Sequence, residues 1–565
     1  MVSEAPAPHA GVQPEPAGED VAMTAPAMSA GAAGRRIAAA ALLIMLGNVA
    51  SRVLGLVRDQ TIAALFGTTV DASVFSAANR VPTMIYDLLI GGAITAALVP
   101  VFTDYAARDE RSSAGSATTV YAELGGLAGA VVGVALIVLV LMVLVLVLFA
   151  GPLMSVLGVG FAPDVQELGT RLVRLGLLSV VLMGMSAVLM GVAYALHRVT
   201  LPAFAPAVYN LAIIACALAL GRRIGVTGLV VGMLVGAAGQ VALQVPGLRG
   251  VPLRPSLAFH HPGLRRIVRL YAPVAAGLVV TALVIVLDTR LASQTGESSL
   301  AAMGYATRLV QLPLGLVGTA LLFGSLPVLS RLGAAGAASP EFRRTVSLGL
   351  KAAVLLVVPA MVALMALRSP VIRLLFQHGR CDDACGQVTA RALLFYAPQI
   401  PFVAADQLLI AAFYALKNTR TPVVIGVVGA GIYAAIALGT VDRMGMSGLV
   451  LANTVQNSAH GVILLFLLWR VTNGLAGERL GRAAARVGAA GLVMAGVLVA
   501  WQRVVPAPAG TLGLAGDLVA AGAVSGGSYL LTLLALRSDE LAYVRQVVQG
   551  RLRRGAQPAA GGGVA

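Results

Sequence analysis

Residues 119–150 read TVYAELGGLAGAVVGVALIVLVLMVLVLVLFA and contain one charged residue, Glu123. About 20 apolar residues in a helix cross the hydrocarbon core of a bilayer, so this run predicts a transmembrane helix. The whole chain of 565 residues has the same character, with 58% hydrophobic and 11% charged residues. A soluble protein carries about 25% charged residues. The composition therefore excludes a soluble enzyme, a disordered protein and a disulfide-framework domain, and unbroken apolar runs argue against an outer-membrane barrel, whose strands alternate.

The same pattern predicts an all-α polytopic membrane protein with about fourteen transmembrane helices. They are expected at about 37–57, 72–102, 119–150, 167–196, 202–220, 225–245, 271–294, 299–330, 343–367, 387–416, 422–440, 445–470, 483–502 and 511–536. Lys and Arg residues total about 24 on one side of these helices and about 8 on the other. Because positive charge marks cytoplasmic loops, both termini are expected in the cytoplasm.

The net charge of +16 is explained by this bias and by contact with anionic membrane lipids. Nucleic acid is not expected as a partner, since aromatic residues are 5% of the chain and do not interleave with the basic ones.

The chain also repeats itself. YAL at 194–196 recurs at 414–416, and GLV at 228–230 recurs at 448–450, so both words are shifted by the same offset. ANR at 78–80 aligns with ATR at 306–308, at a similar offset. Several matches in one order indicate two homologous halves of six helices each. An even number of helices keeps both halves in the same orientation, which is the parallel repeat of alternating-access transporters.

These observations predict the following division of the chain. Residues 1–33 form a disordered cytoplasmic tail, 34–245 an N-lobe with helices 1–6, 246–270 a cytoplasmic linker, 271–471 a C-lobe with helices 7–12, 472–537 helices 13 and 14, and 538–565 a basic cytoplasmic tail.

Charged side chains within the membrane are costly, so each one is a candidate functional residue. Arg52 and Arg58 lie in helix 1. Polar stripes at helical spacing lie in helices 2 and 8 and consist of Ser76, Arg80, Thr83, Asp87 and Gly91, and of Gly304, Arg308, Gln311 and Gly315. Arginine binds phosphate oxygens bidentately and stays charged. A cavity lined by these arginines would accept a phosphate-bearing anion.

Two other interpretations stay open for these charges. Arg52, Arg80 and Arg308 could form structural ion pairs between helices, and Arg58, Asp59 and Asp71 could stay hydrated at the outer interface. Asp87 is expected to pair with a cavity arginine from another helix.

Several motifs resemble the bacterial lipid II flippase family (MurJ/MviN). They are SRVLGLVRD at 51–59 followed by Asp71, PAFAP at 202–206 with Asn210, YATRL at 305–309 with Pro313, LP at 326–327, FQHG at 376–379, and FY at 413–414 leading to TP at 421–422. The resemblance runs from about residue 37 to residue 540 and includes the number of helices.

The resemblance implies a fold and a function. The fold is that of the multidrug/oligosaccharidyl-lipid/polysaccharide exporters, in which two lobes rock about a cationic cavity. Helices 13 and 14 would form a groove for the lipid tail. The function is transfer of lipid II, the undecaprenyl-diphosphate-linked peptidoglycan precursor, across the bacterial cytoplasmic (inner) membrane, with the cell-wall synthesis machinery as a further partner. Such a protein is a transporter and not an enzyme.

By position, Arg52, Arg58 and Arg308 match the essential cavity arginines of the family, and Arg80, Asp71 and Gln311 are further candidates for substrate binding. The chain departs from the family pattern at Tyr86, Asp87 and Gly91 in helix 2 and at Thr307 and Gln311 in helix 8, and Arg290 has no counterpart. Asp288 in helix 7 has no carboxylate partner in helix 11, so no metal site or cofactor is expected.

Three alternatives remain: a flippase for another polyprenyl-diphosphate oligosaccharide, a transport-inactive scaffold, and a polytopic glycosyltransferase. The last is disfavoured because Asp382 and Asp383, the one pair of adjacent aspartates, lie in a short loop. Cys381 and Cys385 flank that pair and are expected on the outer face, either bridged or as free thiols.

Overall fold

The computed structural model describes residues 30–90, 97–113, 121–333, 336–475, 479–506, 508 and 510–538. Over these residues it is all-helical, which confirms the predicted fold class. The α-helices are α1 (Ala30–Phe66), α2 (Val70–Ile90), α3 (Val99–Ser112), α4 (Ala122–Leu148), α5 (Ala150–Leu157), α6 (Pro163–Ala195), α7 (Thr200–Ile224), α8 (Thr227–Gln244), α9 (Pro262–Gln294), α10 (Ser299–Gly333), α11 (Pro340–Ala366), α12 (Arg368–Leu375), α13 (Asp383–Tyr396), α14 (Ile400–Ala415), α15 (Arg420–Met444), α16 (Met446–Val471), α17 (Leu480–Val504) and α18 (Thr511–Ala535).

Twelve helical segments of the described chain are long and apolar enough to cross a membrane. The helices α1 and α2 are outside that set, so the number fourteen stays a prediction. The predicted helix 2 (72–102) is not described as one helix, because α2 ends at Ile90 and α3 begins at Val99. Residues 91–96 between them, with Gly91 of the predicted stripe, lie outside the described residues, as do 1–29 and 539–565 of the predicted tails.

The predicted helix at 387–416 is two helices, α13 and α14, joined by a 3-10 turn at Ala397–Gln399. Pro398 and Pro401 explain this break, because proline supplies no backbone N–H for the helical ladder.

The internal repeat is visible in the backbone. His197 and Lys417 are left-handed, with φ of 58° and 57°, and Gly225 and Gly445 have φ of 62° and 56°. The residue numbers within each pair differ by the same offset that separates the repeated YAL and GLV segments of the sequence. Left-handed non-glycine residues are uncommon, so their recurrence is stronger support for two homologous halves than the recurrence of short apolar words.

We call α1–α8 the N-lobe and α9–α16 the C-lobe. The closed end is the end of the molecule at which α1 and α9 finish and α2, α6 and α10 begin. There one buried apolar core takes residues from both lobes, including Ala63 and Phe66 from α1, Ala302 from α10, and Phe376. Close packing of side chains is a main force between helices in a membrane, so the lobes are packed shut at this end.

Two further buried cores lie at the opposite end, one for each lobe. Phe102 of α3 and Leu127 of α4 belong to the first, and Phe342 of α11 and Phe413 of α14 belong to the second. The start of α9 contributes Ile267 to the N-lobe core. The helices α17 and α18 pack outside the repeat against α11, where the Tyr529 hydroxyl donates to the Leu355 carbonyl at 2.9 Å.

The closed end is held by backbone contacts between lobes. The Arg380 amide of the C-lobe donates to the Ala64 carbonyl of α1 at 2.9 Å, and the Tyr305 hydroxyl of α10 donates to the Gly67 carbonyl at 2.8 Å. Gly379 has φ of 62°, and a Cβ there would lie 2.2 Å from the Ala64 carbonyl oxygen. The two lobes can approach this closely because residue 379 has no side chain.

A disulfide joins Cys381 and Cys385, with Cα atoms 5.2 Å apart, which decides between the two states expected for these cysteines. Both cysteines belong to the apolar core that the two lobes share. The bridge therefore lies in the closed end, beside the Arg380–Ala64 contact.

We expect Gly379→Ala to open the closed end, because the added Cβ collides with rigid backbone of the other lobe. Gly225→Ala is the control: Gly225 also has a positive φ of 62°, but a Cβ there would meet nothing within 4 Å. Spin labels at Asp164 and Glu297, in a chain whose Cys216 is replaced by Ser, report the separation of the lobes. Gly379→Ala should add a longer-distance population that Gly225→Ala lacks, and identical distance distributions would contradict the clash.

Candidate functional site

A cavity of about 180 Å³ lies between the lobes. The residues that line it come from α1, α7 and α10 and are Ser51, Arg52, Gly55, Leu56, Arg58, Asp59, Asn210, Arg308, Gln311 and Leu312. The positions from α1 follow the spacing of one helix face. Four of the six candidate residues named from the sequence are therefore brought together here: Arg52, Arg58, Arg308 and Gln311.

Asp59 is the centre of this cavity. Its Oδ1 accepts hydrogen bonds from Nε of Arg58 at 3.0 Å and from Nη2 at 2.8 Å. Its Oδ2 lies 3.2 Å from Nε of Arg308, which forms an ion pair between the lobes. The Asp59 side chain is 8% exposed. The interpretation of Arg58 and Asp59 as hydrated interfacial charges is therefore wrong, because Asp59 is buried, Arg58 is largely covered, and the two side chains form an ion pair.

Asn210 of α7 fixes the orientation of Arg58. Its Oδ1 accepts from Nη1 of Arg58 at 2.9 Å, and its Nδ2 donates to the Ser51 carbonyl at 3.1 Å. The amide thus joins two turns of α1 to α7. Asn210 belongs to one of the family motifs of the sequence, but its role could not be predicted there, since α1 and α7 are far apart in the chain.

Arg52 extends from the N-lobe to α10. Its Nη1 donates to the Gln311 carbonyl at 3.3 Å. A Cβ at Gly315 would lie 1.8 Å from the same nitrogen, so the glycine makes room for the guanidinium. Gly315 is a member of the polar stripe predicted from the sequence, and the structure shows what its small size permits.

Two candidates are placed elsewhere. Asp71 lies exposed in the first turn of α2 and does not line the cavity. Arg80 of α2 is close enough to act electrostatically on Arg308 and on Asp288, whose Oδ1 accepts from the Tyr433 hydroxyl at 2.6 Å. Asp87 was expected to pair with a cavity arginine from another helix. It interacts electrostatically with Arg308 of α10.

The charges of the cavity lining leave a net positive site. Arg52, Arg58 and Arg308 contribute three positive charges and Asp59 one negative charge, which leaves +2. The arrangement suits an anion with two negative charges and several oxygens, because guanidinium groups bind such anions through paired hydrogen bonds. Within the described residues no group of three or more His, Cys, Asp or Glu side chains is placed to hold a metal ion.

Comparison with known proteins identifies the family. Residues 62–514 match the family model described as "Lipid II flippase MurJ". The chain belongs to this family. The MurJ match begins after Arg52, Arg58 and Asp59, so their place in the site rests on the geometry described above.

Individual MurJ relatives agree. The chain is 30% identical over 443 residues to the "Lipid II flippase MurJ" of Burkholderia cenocepacia, covering 76% of this chain and 83% of that protein. It is 29% identical over 487 residues to the "Probable lipid II flippase MurJ" of Vibrio cholerae, covering 83% of this chain and 89% of that protein.

Solved structures share the fold. "Lipid II flippase MurJ, inward closed conformation" superposes with a TM-score of 0.71 at 19% identity, covering 88% of this chain and all of that one. An inward-facing MATE family transporter of the MOP superfamily gives a TM-score of 0.64 at 14% identity, covering 76% of this chain and 96% of the other. The exporter fold implied by the sequence is therefore confirmed.

We expect Asp59→Asn to lower stability by about 1–2 kcal/mol, because two arginines lose their carboxylate while the half-exposed Arg308 is partly compensated by solvent. Glu167→Gln is the control, since Glu167 pairs with Arg171 within α6 and both side chains are exposed. The melting temperature in detergent should fall more for Asp59→Asn than for Glu167→Gln. Equal changes would show that the Asp59 pair does not hold the lobes together.

Proposed function

We propose that this protein transfers lipid II, the undecaprenyl-diphosphate-linked disaccharide-pentapeptide, from the inner to the outer leaflet by alternating access. The observation that carries the proposal is the cavity between the lobes, where Arg52, Arg58 and Arg308 converge with a net charge of +2. The chain belongs to a family whose members are named for this substrate.

The diphosphate bridge of such a lipid matches the cavity in charge. A diphosphate with an ester at each end carries two negative charges, which balances the +2 of the cavity lining. Arg58 and Arg308 come from opposite lobes and contact the same carboxylate. A diphosphate that enters the cavity would be held in the same way, by both lobes at once.

Asp59 then serves as the counter-ion of the cavity between transport cycles. Two guanidinium groups of like charge repel each other in a low dielectric, and the carboxylate between them offsets that repulsion. When diphosphate oxygens replace the carboxylate at Arg308, the ion pair between lobes is broken. The diphosphate then takes the place of Asp59 as the anion that both lobes contact.

The closed end is assigned to the outer leaflet, with both termini in the cytoplasm of a bacterium. The bias of Lys and Arg residues supports this assignment. A cavity shut on the outside is loaded from the cytoplasmic leaflet, and enzymes of cell-wall synthesis that make and use the precursor are its functional partners.

The polyprenyl tail is assigned to α17 and α18 with the surrounding membrane lipids. Large apolar side chains of these helices are exposed, including Leu492 at 76% and Leu512 at 90%. Apolar surface of this kind is compatible with lipid tails and not with water.

We expect Arg52→Ala and Arg308→Ala to abolish growth rescue in a bacterium depleted of its lipid II flippase, at normal protein level. Lys at either position should rescue partly, because it keeps the charge without the planar fork. Arg171→Ala is the control and should rescue fully, since Arg171 pairs with Glu167 on the exposed surface.

Full rescue by both cavity Ala variants would contradict the proposed site. Failure of the unaltered protein to rescue, with detectable membrane insertion, would favour a different polyprenyl-diphosphate substrate or a scaffold role.

The orientation has its own test, in a chain whose Cys216 is replaced by Ser. Glu297→Cys, in the turn between α9 and α10, should react with a membrane-impermeant maleimide in intact spheroplasts. Glu341→Cys, in the first turn of α11, should react only after permeabilisation. The opposite pattern would invert the assignment of both termini.

A further inference from the structure

A second polar cluster lies inside the C-lobe, away from the arginine cavity. Nδ1 of His460 in α16 is 2.8 Å from Oδ1 of Asp406 in α14. The two side chains are 15% and 17% exposed. His460 is near the middle of the 26-residue helix α16, about 16 Å from its C-terminal end at 1.5 Å per residue. A titratable pair near the middle of a membrane helix is costly and needs an explanation.

The pair belongs to a continuous polar face. Asn453, Gln456, Asn457 and His460 follow the i, i+3, i+4, i+7 spacing that places side chains on one side of a helix. Nδ2 of Asn457 donates to Oε1 of Gln399 at 2.5 Å. The buried Oε1 of Gln456 has no hydrogen-bond partner among the described residues. Within the described part of the chain, one buried acceptor of this polar face is therefore left without a donor.

The groups that face the His460 ring are two acceptors. One is the Asp406 carboxylate on α14, and the other is the backbone carbonyl of Pro422 on α15. A neutral imidazole has one N–H and an imidazolium has two, so two acceptors favour the protonated ring. Within the described residues Asp406 is the one charged side chain that acts on this ring.

Charged side chains on α11 and α13, which pack against α14 or α16, do not act on the ring. On α11, a Cβ at Gly349 would meet Leu408 of α14, and Lys351 is about 200° further around the helix, so it is turned away from α14. Arg391 of α13 is exposed.

We propose that Asp406 and His460 form an intramembrane proton-binding site that couples transport to the proton gradient. With one proton bound, the imidazolium and the carboxylate sum to zero charge. Loss of that proton from the ring leaves a single carboxylate, with a charge of −1, and a second proton on the carboxylate leaves +1. Each charged state is disfavoured in a packed lobe within the membrane, so proton release requires the α14–α16 contact to open to water.

The coupling rests on the proposed function, whereas proton binding by the pair does not. The two are therefore tested separately. The first test uses purified protein in liposomes containing lipid II, with the membrane potential held at zero by valinomycin and equal potassium. The measured quantity is the ratio of flipping rates with and without a gradient of one pH unit.

For one coupled proton, a gradient of one pH unit shifts the transport equilibrium by at most about tenfold. We expect the unaltered protein to be accelerated about three- to tenfold. The ratio should fall to about 1 in His460→Gln and in the isosteric Asp406→Asn. His260→Gln, an exposed histidine outside the cluster, should keep the unaltered ratio. No acceleration of the unaltered protein, or an unaltered ratio in both cluster variants, would overturn the coupling.

The second test needs no transport. Nitrogen-15 NMR of the histidine rings in lipid nanodiscs identifies the His460 signal by its loss in His460→Gln. That signal should change protonation state between about pH 5 and pH 9, and its midpoint should move in Asp406→Asn but not in His260→Gln. A His460 signal that does not titrate would overturn the proton site. If the signal titrates in a protein that flips no lipid, the proton site stands and the proposed function fails.

Discussion

The ion pair between Asp59 and Arg308 connects the parts of this structure. It joins α1 of the N-lobe to α10 of the C-lobe at the place where charge is most costly, inside a membrane protein. Arg58 contributes the second guanidinium, and Asn210 holds it in place through a side-chain amide. The same three charged groups therefore compensate one another, keep the lobes together and leave a positive cavity.

The two ends of the molecule are packed differently around this pair. Apolar residues of both lobes share one core at the closed end, and the lobes have separate cores at the other end. Backbone contacts at Gly67 and Gly379 add close approach between the lobes. A cavity sealed at one end, with a separate core for each lobe at the other end and the start of α9 packed on the N-lobe core there, is compatible with alternating access.

Much of this architecture could be predicted from the sequence, for physical reasons that differ by feature. Long apolar runs specify membrane helices directly. The left-handed residues His197 and Lys417 occupy equivalent places in the two halves, which reflects a duplicated backbone. Arginines in apolar helices stand out against their surroundings, so Arg52, Arg58 and Arg308 were identified as cavity residues.

The remaining features depend on contacts between distant helices, which no local pattern encodes. The burial of Asp59 depends on Arg308, which belongs to the other half of the chain. Asp406 and His460 are 54 residues apart on different helices, and neither carries a local motif. The break between α13 and α14 was missed because the apolar character continues through it, although Pro398 and Pro401 were a usable signal.

We propose that the arginine cavity binds a lipid diphosphate from both lobes. Native mass spectrometry of the purified protein with lipid II tests it most directly, by comparing the unaltered chain with the Arg52→Ala/Arg308→Ala double variant and with Arg171→Ala. We predict that the unaltered protein and Arg171→Ala retain one lipid II molecule, whereas the double variant loses at least about tenfold in affinity. Equal retention of lipid II by the double variant would contradict the claim.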